Sequence, residues 1–400
     1  MRSVDAAGLS IGTGHPPRIM GVLNVSEESP YDPSVYDDPG EAATYVDEEL
    51  IGEGADIVDV GLESANKRYD VLSTEEELDR LDVAVEAMES TSGDAVFSIE
   101  TRYAEVAEAA IDRGFDVVND ICGFADPRMP DVCAEYDVAV AKMASPPDLE
   151  RPGAVDDTDW AERRSQEWFE QSDYVDRVYE ALKQNGLTDK TIVDPAFGGW
   201  SERKTLRDDR ETFRRLREFR ALGRPILVSI NRKNFLRTIA DRSTEDALPV
   251  SLAATAMAIE RGADVIRTHD VAETSDAAKI ADAFDDDPAT AAAGDVTVAR
   301  LDVRTEREAR RYLDEADGDL ALGPAAVCTV LAIEGLDSSA RTLLETEARS
   351  ADVLMTGDRQ TLVGGSYQEI SALSARIADS DGLERLSKAI QALPTLRENL

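Results

Sequence analysis

Short apolar runs recur between residues 18 and 269, and nearly every one ends in a polar side chain that a hydrophobic core would not select. Ile19-Met20-Gly21-Val22-Leu23 runs into Asn24, Ile57-Val58 into Asp59, and Val96-Phe97-Ser98-Ile99 into Glu100. Val117-Val118 precedes Asn119-Asp120, and Ile192-Val193 precedes Asp194. Ile226-Leu227-Val228 leads to Asn231-Arg232-Lys233, and Val265-Ile266 to Arg267-Thr268-His269-Asp270. Amphipathic helical stretches separate these runs. The pattern predicts an α/β fold, a (β/α)8 TIM barrel, in which the carboxyl ends of the strands converge on one site.

Eight strands are expected, over residues 18–25, 56–61, 95–100, 116–120, 137–143, 191–194, 225–230 and 264–270. Helical patterns lie between them at 40–54, 73–88, 103–114, 160–186, 208–223, 246–262 and 275–284. Ser73 with Glu76 three residues on reads as a capping box. Gly54-Ala55-Asp56 and Gly262-Ala263-Asp264 recur just before strands, with Gly114-Phe115-Asp116 close to them, as the helix-stop, strand-start punctuation of a repeated unit. Residues 1–17 form an N-terminal extension, 18–285 the barrel, and the Asp- and Ala-rich stretch 286–294 a linker. Residues 295–400 make a small α+β accessory domain, and no motif in it has a nameable chemistry.

The chain has 400 residues and a formal net charge of −39. Of its 43 basic residues, 8 are lysine and 35 arginine. An acidic surface that prefers Arg to Lys predicts a protein kept soluble in concentrated salt, as in halophiles, since charge argues solubility rather than fold. No basic patch appears, which excludes nucleic-acid binding. Cys122, Cys133 and Cys328 lack metal-ligand spacing and read as small core residues. No apolar run nears the roughly 20 residues of a membrane helix, and Met1–Gly14 lacks a signal-peptide apolar stretch, so a cytoplasmic protein is expected.

The strand ends suggest two chemistries. Lys233, Arg267 and His269 come from strands 7 and 8, the corner that often holds phosphate in barrels. A guanidinium fork with a histidine donor suits a diphosphate. Asn24, Glu100, Asn119 and Asp194 are short hydrogen-bonding groups, suited to a flat heterocycle with an amide and amino edge, and Asp59 is a further substrate-binding candidate. Met143, at the end of strand 5, joins them as a substrate-binding candidate. Glu100 and Asp194 also suit a general acid–base pair or a metal. Asp194-Pro195-Ala196-Phe197-Gly198-Gly199 reads as a flexible Gly-rich loop, with Phe197 available to stack on a ring or to anchor an exposed turn.

In this order the motifs resemble dihydropteroate synthase and its pterin-binding relatives over roughly residues 18–285. The match rests on Met20-Gly21-Val22-Leu23-Asn24-Val25-Ser26, Asp59-Val60-Gly61-Leu62-Glu63-Ser64, Asn119-Asp120-Ile121 and Asp194-Pro195-Ala196-Phe197-Gly198. Arg232-Lys233-Asn234-Phe235 and Arg267-Thr268-His269-Asp270-Val271 complete it. The resemblance implies that p-aminobenzoate, or a related arylamine, displaces pyrophosphate from a hydroxymethyl-dihydropterin diphosphate in folate biosynthesis. It implies that Asn119, Asp194 and Lys233 hold the pterin. It further implies that Asn24, Arg267 and His269 hold the diphosphate, with Mg2+ at Asn24 and Asp194, Lys233, Arg267 and His269 catalytic. A homodimer through the barrel helices is a further implication.

The chain departs from the family at several positions. Glu100 replaces a pterin-contacting aspartate, and Ala65-Asn66-Lys67 stands where Thr-Arg-Pro is usual, with Lys67 or Arg68 as substitutes. Glu28-Ser29 is followed by Pro30 and Tyr31 rather than directly by an aromatic. The lysine after the Gly-rich loop, a substrate-binding candidate, is displaced to Lys204 by an insertion around 200–203. These changes keep two alternatives open: a pterin-dependent methyltransferase module and a non-catalytic pterin-binding paralogue. Residues 323–327, 334–337 and 353–357 resemble an accessory domain that precedes the barrel in some bacterial synthases.

Overall fold

The computed structural model describes residues 3–26, 34–36, 38–63, 71–146, 148–284, 290–293, 296–357 and 361–393. The chain divides into two compact units, Met1–Asp287 and Pro288–Leu400. The first unit opens with a hairpin, β1 (Val4–Ala6) and β2 (Leu9–Ile11). The barrel strands follow as β3 (Arg18–Asn24), β4 (Ile57–Gly61), β5 (Val96–Thr101), β6 (Val117–Asp120), β7 (Ala139–Met143), β8 (Thr191–Asp194), β9 (Leu227–Val228) and β10 (Val265–Thr268). They form one parallel sheet in the order β8-β7-β6-β5-β4-β3-β10-β9. A parallel bridge from Val193 to Ile226 closes the ring. Parallel strands covered on both faces are buried along their length, and all five residues of β4 are buried.

Register sets the site in two layers. Val22, Asp59, Ser98 and Val117 lie at one level, and Asn24, Gly61, Glu100 and Asn119 at the level above. Side chains alternate along each strand, so both levels present the same face. The polar residues that end the apolar runs therefore stack at the carboxyl mouth.

The other end is sealed. Val4, Ala6 and Ile11 of the hairpin pack against Met20, Ile57, Val96, Val117, Ala139, Ile192, Leu227 and Val265 near the strand starts. The extension is thus a plug, with Ala7 (φ 50°) and Gly8 (φ 91°) making its turn. The repeated Gly-x-Asp phrase has a two-part cause. Gly54, Gly114 and Gly262 each take a positive φ near 100°, which ends the preceding turn. Each following aspartate then accepts a backbone N–H from the start of the neighbouring strand: Asp56 from Ile19 (2.9 Å), Asp116 from Phe97 (3.2 Å) and Asp264 from Ile226 (2.9 Å).

The barrel helices are α1 (Pro39–Tyr45), α2 (Thr74–Ser90), α3 (Ala104–Ile111), α4 (Met129–Glu135), α5 (Trp160–Arg163), α6 (Gln166–Gln171), α7 (Tyr174–Lys183), α8 (Leu206–Arg214), α9 (Asn234–Ala240), α10 (Leu248–Glu260) and α11 (Val271–Ala283). The Ser73–Glu76 capping box of α2 forms as expected. The stretch 160–186 is three helices rather than one. Ser165 and Asp173 each cap a new start by accepting an N–H three residues on, and apolar periodicity is blind to such caps. Helices α4 and α9, each 7 residues, are too short to register as periodic patterns. Lys142 of β7 is wholly buried and donates to the carbonyls of Leu182 (3.0 Å), Gln184 (2.5 Å) and Gly186 (2.7 Å), closing the end of α7. Burial pulls its pKa down to about 7.

The second unit contains β11 (Thr290–Ala293), β12 (Val296–Ala299), α12 (Glu306–Glu315), β13 (Cys328–Ile333), α13 (Ser338–Ser350), β14 (Leu354–Thr356), β15 (Thr361–Ser366), α14 (Tyr367–Ile377) and α15 (Glu384–Gln391). Part of the expected linker is strand, because β11 pairs antiparallel with β12. The three-stranded antiparallel sheet has β15 at its centre, between β13 and β14. Its Gly364-Gly365 hid this strand in the sequence, since glycine weakens strand propensity. Leu344, Ile370, Leu373, Ile377 and Leu383 are fully buried in this unit's own core. Cys122 and Cys133 are buried as expected, whereas Cys328 is exposed at the start of β13. Among the described residues no helix is long and apolar enough to cross a membrane.

Candidate functional site

Arg267 organises the mouth. It leaves β10 and reaches past β3 to β4 and β5, donating from Nε to Asp59 (2.7 Å) and from one terminal nitrogen to Glu100 (2.7 Å). Asn119 donates to the same Asp59 oxygen at 2.9 Å, and Ser98 holds the other at 2.7 Å. Asp59 is fully buried, while the Arg267 and Glu100 side chains keep 18% and 12% of their exposure. Burial works against the Arg267 charge, but Asp59 and Glu100 outweigh it and push its pKa up. Burial raises the Glu100 carboxyl to about 7 against the pull of Arg267, with Asp59 and Glu63 adding repulsion. Removing the guanidinium would leave buried carboxylates uncompensated, a loss of roughly 3–5 kcal/mol.

Asp194 and Lys233 define a second side. Asp194, at the tip of β8, accepts the Ala196 N–H at 2.7 Å, and burial lifts its pKa to about 6 despite nearby Lys233 and Arg267. Lys233 precedes α9 and is brought in by its neighbours. Asn231 and Arg232 both bind Asp270, the latter through two 2.8 Å bonds, which ties the segment after β9 to the segment after β10. Burial and the charge of Arg267 lower the Lys233 pKa. A side chain at Gly198 would place its Cβ 3.1 Å from Lys233 Nζ, so glycine there leaves room for the ammonium.

The loop between β8 and α8 is pinned, contrary to the flexible loop expected. The Gly198 N–H donates to Asp209 (3.2 Å), and Trp200 Nε1 donates to the Phe197 carbonyl (3.0 Å). Lys204 belongs to this scaffold: it pairs with Asp209 at 2.7 Å, donates to the Ala196 carbonyl at 2.6 Å and is almost wholly buried. Phe197 also turns inward. It is buried and stacks on Phe235 (5.8 Å between centroids) with Phe213 edge-on, because three aromatics under the loop bury more apolar surface together than one would at the mouth. Half-buried Trp200 instead lies beside the site, 5.9 Å from Lys233 Nζ to its ring. Met143 is buried and in register with Asp194.

A third group lies around Asn24 and His269. Ser34, fully buried, accepts from Asn24 Nδ2 at 3.0 Å and lies 3.2 Å from His269 Nδ1. Burial, then Arg267 and Lys233, hold the His269 pKa down to about 3, so the ring is neutral. Glycine at position 61 matters here, since a Cβ would come within 2.9 Å of Asn24 Oδ1. Sequence reasoning missed Ser34, Ser98 and Trp200. Ser98 was legible as a polar break in an apolar run; no local signal marks the others. Glu28, Ser29, Pro30, Tyr31, Ser64, Ala65, Asn66, Lys67 and Arg68 lie outside the described residues. Among the described residues no cluster of three His, Cys, Asp or Glu is arranged to hold a metal ion.

The mouth thus brings together Asn24, Asp59, Glu100, Asn119, Asp194, Lys233, Arg267 and His269. Together they offer buried carboxylates and amides beside a guanidinium, an ammonium and a neutral imidazole. Residues 20–269 match the pterin binding enzyme family. A dihydropteroate synthase of Bacillus subtilis is 31% identical over 268 residues, 66% of this chain and 88% of that one. A probable bifunctional folylpolyglutamate synthase/dihydropteroate synthase of Halobacterium salinarum is 34% identical over 265 residues, and the match spans only 31% of that longer protein. The structure of a dihydropteroate synthase from Coxiella burnetii, solved with pteroic acid, superposes with a TM-score of 0.55 at 29% identity, covering 70% of this chain and 98% of that one.

Proposed function

The chain belongs to the pterin binding enzyme family, and from that membership we propose that it is a dihydropteroate synthase, a transferase of folate biosynthesis. Its substrates are 6-hydroxymethyl-7,8-dihydropterin diphosphate and an arylamine, p-aminobenzoate or a close relative. The arylamine nitrogen bonds to the pterin methylene carbon, the carbon–oxygen bond to the diphosphate breaks, and the nitrogen loses a proton. The carrying observation is the single mouth that gathers Asn119, Asp194, Lys233, Arg267 and His269 at the carboxyl ends of the strands.

Asp194, as carboxylate, accepts N–H bonds from the amino and amide edge of the pterin, and Asn119 and Lys233 complete that edge. Asp59, Glu100 and Met143 shape the pocket around it. Negative charge grows on the leaving diphosphate, and preset donors at that point lower the barrier. Arg267 and His269 are those donors. Arg267 is held ready by Asp59 and Glu100, so it needs little reorganisation when the anion arrives.

Mg2+ fits as a companion of the diphosphate. Asn24 offers one neutral side-chain oxygen, and Mg2+ usually completes its shell with water and substrate phosphates rather than with a protein cage. When bound it supplies charge neutralisation to the leaving group. Exposed apolar residues on neighbouring barrel helices, Ile239, Met257, Ile280 and the adjoining Phe284, support homodimerisation through that side. The acidic, Arg-rich composition supports adaptation to high salt.

The test is an assay in molar KCl with Mg2+, dihydropterin diphosphate and p-aminobenzoate, following pyrophosphate and pteroate product together. Equal yields are expected. Saturable pterin diphosphate binding without either product would sink the synthase assignment and leave a pterin-binding protein.

A further inference from the structure

Lys233 lies along the loop after β8. Phe235, two residues further on, stacks on Phe197 at 5.8 Å between centroids, which fixes the start of α9 against that loop. The loop backbone then runs beside the lysine: a Cβ at Gly198 would lie 3.1 Å from Nζ and 3.5 Å from Cδ. The indole of Trp200 follows, with its centroid 5.9 Å from Nζ. The ring is itself tightly placed. The Trp200 N–H donates to the Gly198 carbonyl (3.1 Å), and Nε1 donates to the Phe197 carbonyl (3.0 Å). In the segment after β7, Gly153 (φ 63°) packs so close that a Cβ there would fall 2.5 Å from Trp200 Cγ. Ser145 holds Gly153 in turn by accepting its N–H at 2.9 Å.

Among the described residues the Lys233 ammonium makes no hydrogen bond and no ion pair, and its aromatic contact is the Trp200 face. The charged groups around it are engaged elsewhere. Asp209 of α8 binds Lys204, Arg267 of β10 binds Asp59 and Glu100, Arg232 binds Asp270, and Asp194 of β8 accepts the Ala196 N–H. Across space Asp194 and Asp209 favour the Lys233 charge, burial, Arg267 and Lys204 oppose it, and His269 stays neutral. An aromatic face attracts a cation through its quadrupole, most strongly for Trp. A carboxylate in the same place would occupy some of the three ammonium donors with its lone pairs. The ring steadies the charge and leaves those donors to a ligand.

We propose that Trp200 is a positioning residue: its indole face holds the Lys233 ammonium at the mouth with its N–H groups available to the carbonyl oxygen of the pterin edge. This rests on the assignment of Lys233 to the pterin. Asp194 accepts from the N–H groups of that edge and Lys233 donates to its oxygen, so the pair reads a donor and an acceptor side by side. A lysine side chain loses much rotamer freedom when a ligand orders it. A ring that orders it beforehand removes that loss from the binding step.

The contact is read first without ligand. Full-length protein labelled with 13C at lysine Cε is titrated by 1H–13C spectra as wild type, Trp200→Phe and Trp200→Leu, with Lys233→Arg for assignment. The ring favours the charged form, so Trp200→Leu should lower the Lys233 titration point by up to about one pH unit. Trp200→Phe keeps a ring and should recover part of the difference. Binding of hydroxymethylpterin, which carries no diphosphate, is then followed by calorimetry. Trp200→Leu should weaken it about three- to thirtyfold, with partial rescue by Trp200→Phe and the KM for arylamine unchanged. The alkaline limb of binding should move down with the Lys233 titration point, while the acid limb set by Asp194 stays in place. A loop that was merely loosened would weaken binding alike at every pH. An unmoved Lys233 titration point in Trp200→Leu, or weaker binding with both limbs unmoved, overturns the proposal. A moved titration point with no saturable pterin binding in the wild type overturns the pterin assignment of Lys233 and leaves the hold of Trp200 on the ammonium standing.

Discussion

At the N-terminal end of the barrel Asp56, Asp116 and Asp264 each accept a backbone N–H from the neighbouring strand. At the mouth Asp59 and Glu100 share one guanidinium, and Asp194 accepts a single N–H from its own loop. The lower carboxylates spend their acceptor capacity on holding strands together beneath an apolar plug. Of the upper ones, Asp59 and Glu100 pair with side chains at the mouth, and burial raises the carboxyl pKa at both ends, at Asp116 and Asp264 below as at Glu100 and Asp194 above. One residue type thus serves architecture at one end and chemistry at the other, and the difference lies in whether its partner is fixed backbone or a side chain that a substrate can share.

The sharpest break of this comparison is Arg267→Ala. Its kcat/KM should fall about 100- to 1,000-fold, as for loss of a donor that meets developing charge. Affinity for a pterin lacking the diphosphate should change far less, and equal losses for both ligands would remove Arg267 from the diphosphate role. At the sealed end, Ile11→Ala should cost about 2–5 kcal/mol of unfolding free energy with KM for both substrates unaltered; denaturant titration beside steady-state kinetics reads both. Asp116→Ala should cost about 1–3 kcal/mol by leaving the Phe97 N–H unpaired, again with unchanged KM. A KM change there would mean that the two ends are coupled.

The smallest effect is a matter of pH. Asp194 titrates near 6 in the folded protein, above the usual carboxylate value, and only its ionised form accepts pterin N–H bonds through both oxygens with full charge assistance. Pterin affinity should therefore be full above about pH 6 and weaken below it, by up to tenfold per pH unit. Calorimetric titration between pH 5 and about 8 checks the sign. Asp194→Asn should flatten the curve at the weak-binding level.

Much of this was legible before any fold was seen. The apolar runs located all eight barrel strands to within a few residues, although β9 shrinks to Leu227–Val228. Asn24, Glu100, Asn119, Asp194, Lys233, Arg267 and His269 were each marked by their place after such a run. The inward turn of Phe197 and Lys204 was not legible, because position in a Gly-rich loop says nothing about which way a side chain points. Phe197 found two aromatic neighbours contributed by α8 and α9, and Lys204 found Asp209. Ser34 was invisible because two of its partners, Asn24 and His269, are 10 and 235 residues away in sequence.

The sequence by itself determined the strand count, the parallel order of units, the charge and the set of polar groups at the strand ends, because these follow from short-range periodicity and composition. Only the tertiary structure decided which of those groups meet. Closing the ring of strands brings Arg267 within 2.7 Å of Asp59, 208 residues away. It also seats the hairpin of β1 and β2 as a plug, and buries Lys142 under three carbonyls at the end of α7. Hydrogen bonds and ion pairs act over a few ångströms of space and not along the chain, so their partners exist only once the barrel has closed.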